Sequence, residues 1–260
     1  MRSRRASGTR PRARTRRHLL IIAFALGGTA LGAQAPRERP AGTFEGHEGG
    51  ASAYTRDQLR RECPASIDSI ARALVEDQRA TPYRCTIDTL YTLPRADGQT
   101  WVGVQYTLLH PDSTSKVVAI VASALYAAPS AQQPFRLQWI GAQFPELVRS
   151  IYPELVRRPD GSAFVGITYC INGTGGCWQE YLSRRRGRWF TITEAWRRQL
   201  PALPGGRVGK GEGVDLATLV GRYGFYADDD ANCCPSRELL IHLVLRRDSL
   251  FLVRHELRAP

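Results

Sequence analysis

The sequence predicts an α+β chain that is predominantly antiparallel β, with an N-terminal helix followed by repeated, blade-like sheet units. Three observations carry that expectation. One apolar stripe of helical period lies near residue 70. A long succession of short segments rich in Val, Ile, Thr, Tyr, Trp and Phe follows, broken by Gly, Pro and Asp. Finally, residues 95–106 and 158–169 match each other.

The helical pattern begins at residue 54. Ile67, Ile70, Ala71, Leu74 and Val75 stand at i, i+3, i+4, i+7 and i+8, which places them on one face. Pro64 suits the first turn of such a helix, and Pro82 lies just beyond its end. Strands are expected at 84–93, 100–109, 116–127, 135–142, 152–157, 162–170, 177–183 and 188–193. A short helix is expected at 194–200, and PALPGGRVGKGEG (201–213) reads as a flexible loop. DLATLVGRY then opens as a helical turn, and strands at 222–227, 236–246 and 249–257 close the chain.

The internal match pairs RADGQTWVGVQY (95–106) with RPDGSAFVGITY (158–169). Arg, Asp, Gly, Val, Gly and Tyr recur at the same positions, Trp101 answers Phe164, and Val104 answers Ile167. In each copy an Asp-Gly turn feeds a strand of aromatic and β-branched residues. Residues 54–260 are therefore expected to form a single β-rich domain of two or three similar sheet units.

Ahead of that domain the composition changes twice. The first 18 residues carry eight arginines and no acid, and Leu19–Ala33 is an uncharged, mostly apolar run. Fifteen residues fall short of the ~20 that a spanning helix needs. A basic start, a short apolar centre and small residues at its end describe a signal peptide over 1–35, cleaved after Gly32 or Ala35. Thr15-Arg16-Arg17 leaves a twin-arginine export route open beside the general secretory one. Residues 36–53 are rich in Pro, Gly and charge, too poor in apolar side chains to offset ordering entropy, and read as a disordered linker. No stable membrane span is expected after signal cleavage.

Of 36 basic and 24 acidic residues, eight arginines belong to the leader, leaving 28 against 24 and a net charge near +4 rather than +12. That balance argues against nucleic acid as a partner. Arg184, Arg185, Arg186 and Arg188 are read as a solvated turn in preference to a phosphate patch.

Six cysteines in an exported chain point to disulfides. Cys170 and Cys177 bracket a Gly-rich turn between two strands, the most natural pair. Cys63 precedes the helix and Cys85 follows it, a second pair. Cys233 and Cys234 are then left for each other, unless either reaches back to the other cysteines. No spacing resembles a zinc site.

The segment around that vicinal pair, DDDANCCPS, invites two chemical readings. Asp228, Asp230 and Asn232 have the opening spacing of a calcium loop, but Cys233 and Leu239 stand where an EF-hand needs Gly and Glu, so an Asp/Asn-rich turn is preferred. A redox pair needs a depressed thiolate pKa, and three preceding acids push the other way. With Tyr223 and Tyr226 upstream and Pro235-Ser236 after the cysteines, residues 223–253 resemble the C-terminal segment of the LppP/LprE-type family of exported bacterial proteins. The resemblance covers only this C-terminal stretch of the chain. It implies an envelope location and no particular activity, and the lipid-anchoring cysteine of many members has no counterpart after this leader.

Other motifs fail on inspection. There is no Gly-x-Ser-x-Gly elbow, and Gly206-Arg-Val-Gly209-Lys210-Gly211 lacks the Ser or Thr of a phosphate loop. Asp97 and Asp160 are read as turn formers before Gly rather than a glycosidase pair. His110, His242 and His255 are scattered. Trp101, Trp139, Trp178, Trp189 and Trp196 are read as core ahead of a sugar-binding surface. The expectation is an exported cell-envelope protein acting as a binding or structural module, with an envelope component or protein as partner and no cofactor. The alternative is a hydrolase acting on envelope polymers.

Overall fold

Local turn chemistry divides the chain into short strands, and the computed structural model describes residues 43–44, 52–111, 117–146, 150–170, 176–231 and 234–259. All of them belong to one unit, Arg39–Pro260. The elements in order are β1 (Thr43–Phe44), α1 (Arg56–Arg61), α2 (Ser66–Leu74), β2 (Arg84–Ala96), β3 (Gln99–Leu109), β4 (Val118–Ala128) and β5 (Arg136–Gln143). Then come β6 (Ser150–Arg157), β7 (Ala163–Cys170), β8 (Cys177–Arg185), β9 (Arg188–Thr191), α3 (Trp196–Gln199), β10 (Arg207–Asp215), β11 (Val220–Tyr226), β12 (Arg237–Arg246) and β13 (Ser249–Arg258).

The fold is mostly antiparallel β. β2 to β5 pair in chain order, with β1 on the outer edge of β5. The second sheet runs β13-β12-β11-β10-β8-β7-β6, and β9 also pairs with β8. By connectivity there are three four-stranded meanders: β2–β5, β6–β9 and β10–β13. The second and third share the outer edge of β8. There β9 takes Leu182 to Arg185, and β10 meets the strand only where Gly211 faces Cys177. Pro153 lies in β6, an edge strand whose free side does not need the missing N–H.

Three apolar clusters separate these layers. The first lies between α1, α2 and one face of β3–β5, with Leu59, Ile67, Tyr106, Ile120 and Ile140 at its centre. The second joins the opposite face of that sheet to β6–β8 through Trp101, Trp139, Leu155 and Val165. The third joins β7 and β8 to β11–β13 and α3 through Phe164, Trp196, Leu216, Phe225 and Ile241. The middle meander is thus buried on both faces along Ala163–Ile167, which is why β7 opens as a continuous apolar run rather than an alternation. The matched residues respect this layering. Val102, Val104 and Tyr106 face the first cluster and Trp101 the second; Val165, Ile167 and Tyr169 face the second and Phe164 the third.

Ahead of the strands, Thr55 and Gln58 form a reciprocal capping box at α1. The helical stretch is broken between Arg61 and Ser66, so that α2 carries only the stripe from Ile67 to Leu74.

One expectation is corrected. The glycine-rich stretch expected as a loop over 201–213 contains most of β10. Gly209, Gly211 and Gly213 leave room on that strand for the Tyr226 ring, the Arg222 and Tyr223 backbone and the Gln179 amide. The helical turn expected at the start of DLATLVGRY stands between β10 and β11, with Leu219 N–H donating to the Asp215 carbonyl at 2.8 Å. Ala217 and Thr218 N–H groups also donate to Asp215 Oδ1 at 2.8 and 3.1 Å. The short helix expected at 194–200 is the single turn of α3. Thr43 and Phe44, in the stretch read as a linker, pair with Gly141 and Ile140 on the edge of β5. The expected signal peptide lies outside the described residues.

Candidate functional site: a polar cleft between the second and third meanders

Leu216, in the turn after β10, packs on the middle meander at Gly166, where a Cβ would come within 3.0 Å of Leu216 Cδ1. A cleft of about 550 Å³ is lined by Glu154, Thr168, Gln179, Asp215, Thr218 and Arg222 among others. Such a volume lies inside the ~300–1,000 Å³ range of small-molecule sites. Period-two alternation explains the grouping on the β6–β8 side. Tyr152 lies opposite Thr168, Glu154 opposite Gly166, and Thr168 opposite Gln179, so all share one face of the middle meander.

Gln179 is the most constrained of these groups. Its Oε1 accepts from the Tyr181 hydroxyl at 2.5 Å and from Val214 N–H at 2.6 Å. The amide orientation is thereby fixed, and Nε2 must donate, as it does to Thr168 Oγ1 at 3.0 Å. One Nε2 proton and the Thr168 hydroxyl proton remain to serve the cleft. Gly213 makes this possible. At φ +89° it sits where a side chain is strained, and a Cβ there would lie 2.1 Å from Gln179 Oε1.

The two carboxylates are held in different states. Partial burial, and then the nearby charge of Asp215, raise the pKa of Glu154 above its ordinary value. Asp215 is lowered, first by the Thr218 N–H and also by that of Ala217. Arg222 sits at the other side, 3.3 Å from Glu238. Tyr152 stands beside the cleft, 50 % exposed, one of few large apolar side chains so open to solvent. None of the cleft residues belongs to a sequence motif, because they come from β6, β7, β8, β10, β11 and a turn. The one legible signal was the alternation of glycines at 209, 211 and 213, which marks a strand face pressed against neighbours.

The residues singled out from sequence are placed as follows. Cys63 is bridged to Cys85 and Cys170 to Cys177, the latter directly across the β7–β8 pair. Cys234 is disulfide-bonded. Cys233 lies outside the described residues, as does Asn232. Asp230 Oδ2 accepts from Ala227 N–H at 2.6 Å and Ser236 N–H at 2.8 Å, so this carboxylate closes the turn. Asp228 precedes it in the same turn. Among the described residues no three His, Cys, Asp or Glu side chains gather as a metal site.

Asp97 and Asp160 do line one cleft, of about 630 Å³. There Asp97 Oδ1 accepts from Arg186 N–H at 2.7 Å, and Oδ2 from Gly187 N–H at 3.1 Å and Arg184 Nη1 at 2.6 Å. Asp160 Oδ1 holds Ser162 through its N–H and hydroxyl. Both are committed to turns. Arg184 corrects the picture of a solvated arginine run: it is 5 % exposed, paired with Asp97 and set over the Trp101 and Trp189 rings. Arg185 pairs with Asp248. Trp101, Trp139 and Trp196 are buried, whereas Trp178 is 39 % exposed and stacks on Tyr169. His242 faces Glu256 at 3.5 Å on the outer side of the third meander.

Among the described residues no helix is long and apolar enough to cross a membrane. Comparison with family models, with curated proteins and with solved structures finds no match to this chain.

Proposed function

We propose that this chain is an exported cell-envelope protein whose three meanders are copies of one blade-like unit, and that it works as a binding module through the cleft between the second and third. The observation that carries the reading is the Gln179 network. A buried-side amide locked by Tyr181 and Val214, with its donors turned toward an open cleft, is a preorganised recognition feature that packing alone does not require. Export is supported by the basic and apolar leader and by the two bridged cysteine pairs, since disulfides persist outside the reducing cytosol. The Cys-Cys-Pro-Ser resemblance points to the same compartment.

A second reading, a hydrolase acting on envelope polymers, is favoured by one specific observation. Glu154 and Asp215 share a cleft, with one pKa raised and the other lowered, the pattern that divides acid from base between two carboxylates. Co-sedimentation of the mature protein with isolated cell envelopes tests the first reading. Wild type is expected in the pellet and Gln179→Ala in the supernatant, with no soluble fragments released. Equal pelleting of both proteins sinks the assignment of the cleft, and steady release of fragments, abolished in Glu154→Gln, replaces the binding module with the hydrolase.

A further inference from the structure

Hydrogen-bonding side chains on both meanders line the cleft: Glu154, Thr168 and Gln179 on one, Asp215, Thr218 and Arg222 on the other. Gln179 Nε2 and the Thr168 hydroxyl are donors on the middle meander, fixed by the contacts described above. Glu154 stands on the same face, and Asp215 faces it from the end of β10. Asp215 Oδ1 accepts from the Ala217 and Thr218 N–H groups, the Thr218 side chain also bonds the carboxylate, and the residue lines the cleft as an acceptor. Among the described residues Val214 and Val220 are the aliphatic side chains of the lining, and Val214 is buried, so the walls offer polar and apolar surface together.

Charge narrows the class further. Among the described residues the lining carries two carboxylates and one guanidinium, and that guanidinium already faces Glu238 at 3.3 Å. A polyanion entering the cleft would meet unneutralised negative charge. A neutral hydroxyl group suits both kinds of wall, because each O–H donates once and accepts through two lone pairs. Tyr152, half exposed, adds an aromatic side chain on the same face of the middle meander. Placed opposite Thr168 and two residues from Glu154, it lies within side-chain reach of whatever those two residues hold.

We infer that the cleft between β6–β8 and β10–β11 takes a neutral saccharide, its hydroxyls held by Gln179, Thr168, Glu154 and Asp215 and one sugar face stacked on Tyr152. The inference rests on the cleft being the ligand site and adds the chemical class of the ligand. Bonding is direct and requires no metal.

Isothermal titration calorimetry of the full mature chain in EDTA tests it, with cellohexaose, maltohexaose and chitohexaose as neutral probes and hexagalacturonate as the anionic one. At least one neutral probe is expected to bind, and hexagalacturonate is expected not to. Thr168→Val keeps the side-chain shape, removes one donor and weakens binding by about tenfold. Tyr152→Ala, an exposed change that leaves folding intact, weakens it comparably. Silence from all three neutral probes at millimolar concentration overturns the saccharide, while envelope co-sedimentation sensitive to Gln179→Ala would leave the cleft standing as a site for another ligand. Binding of hexagalacturonate alone, binding that appears only when calcium replaces EDTA, or a Thr168→Val protein that binds as wild type does each overturns the inference as well. Shortened oligosaccharides in the cell after titration would keep the saccharide and overturn the non-catalytic reading beneath it.

Discussion

Single residues show how one side-chain type takes opposite roles in this molecule. Asp97, Asp160, Asp215 and Asp230 all begin as turn formers, each accepting backbone N–H groups. The Ser162 hydroxyl first, for Asp160, and backbone N–H groups first, for Asp215 and Asp230, hold the carboxyl below its ordinary value of 3.8. Stability from these groups is therefore present above that value and is lost as the pH falls through their lowered folded values. Glu154 has the opposite sign. Its folded pKa is raised, so the folded state holds the proton longer, and its contribution falls as pH rises from the ordinary value of 4.5 to the folded one. An NMR titration of the Glu154 carboxyl in wild type and Asp215→Asn checks the causes. Removing the neighbouring charge is expected to lower the Glu154 pKa while leaving it above the ordinary value, because burial is the larger cause. An unmoved value, or one that drops fully to 4.5, contradicts that order.

Among the elements, the β7–β8 hairpin and the α2–β2 segment are each closed by a disulfide. Cys170–Cys177 spans 7 residues and Cys63–Cys85 spans 22. Loop-closure entropy then assigns roughly 2 kcal/mol to the first and about 3 kcal/mol to the second. The paired serine variants should lose stability in that order in urea unfolding. The reverse order would show that native contacts outweigh chain entropy here. Cys170–Cys177 has a second consequence, since Thr168 and Gln179 lie two residues inside it on the same two strands. Loss of this bridge is expected to impair the cleft more than loss of Cys63–Cys85, which sits beside the first apolar cluster.

In the whole molecule, one apolar cluster seats the helices on the first meander and two more join the three meanders in series. Leu216 belongs to the last of these clusters. It is 3 % exposed, it seats on Gly166, and it follows Asp215 directly in the chain. Leu216→Ala should cost about 3 kcal/mol, the usual range for a buried leucine that leaves a cavity. It should also loosen saccharide binding by releasing the β10–β11 turn from the β6–β8 face. A loss below about 1 kcal/mol, measured by urea unfolding, would mean that the third meander is positioned by other contacts.

What was legible in the chain was local. Period-two patterning, Asp-Gly turns and the helical stripe at 67–74 identify most elements, because their causes lie within a few residues of each other. Even β7 announces itself by the run Ala163–Ile167, which is buried throughout, before Thr168 turns to the cleft. The exceptions are instructive. β10 was hidden because glycine carries no strand preference of its own, and its extended form depends on Tyr226, Tyr223 and Gln179 arriving from elsewhere. Arg184 read as solvent-facing because nothing nearby in sequence pairs with it; its partner Asp97 is 87 residues away. The cleft is the extreme case. Glu154, Thr168, Gln179 and Asp215 are unremarkable strand and turn residues until register puts three of them on one face and the packing of the third meander brings the fourth beside them. Short-range chemistry therefore determined the kinds of element and their turns. Only the packing of one meander on the next decided which side chains meet, because that depends on contacts between segments with no sequence proximity.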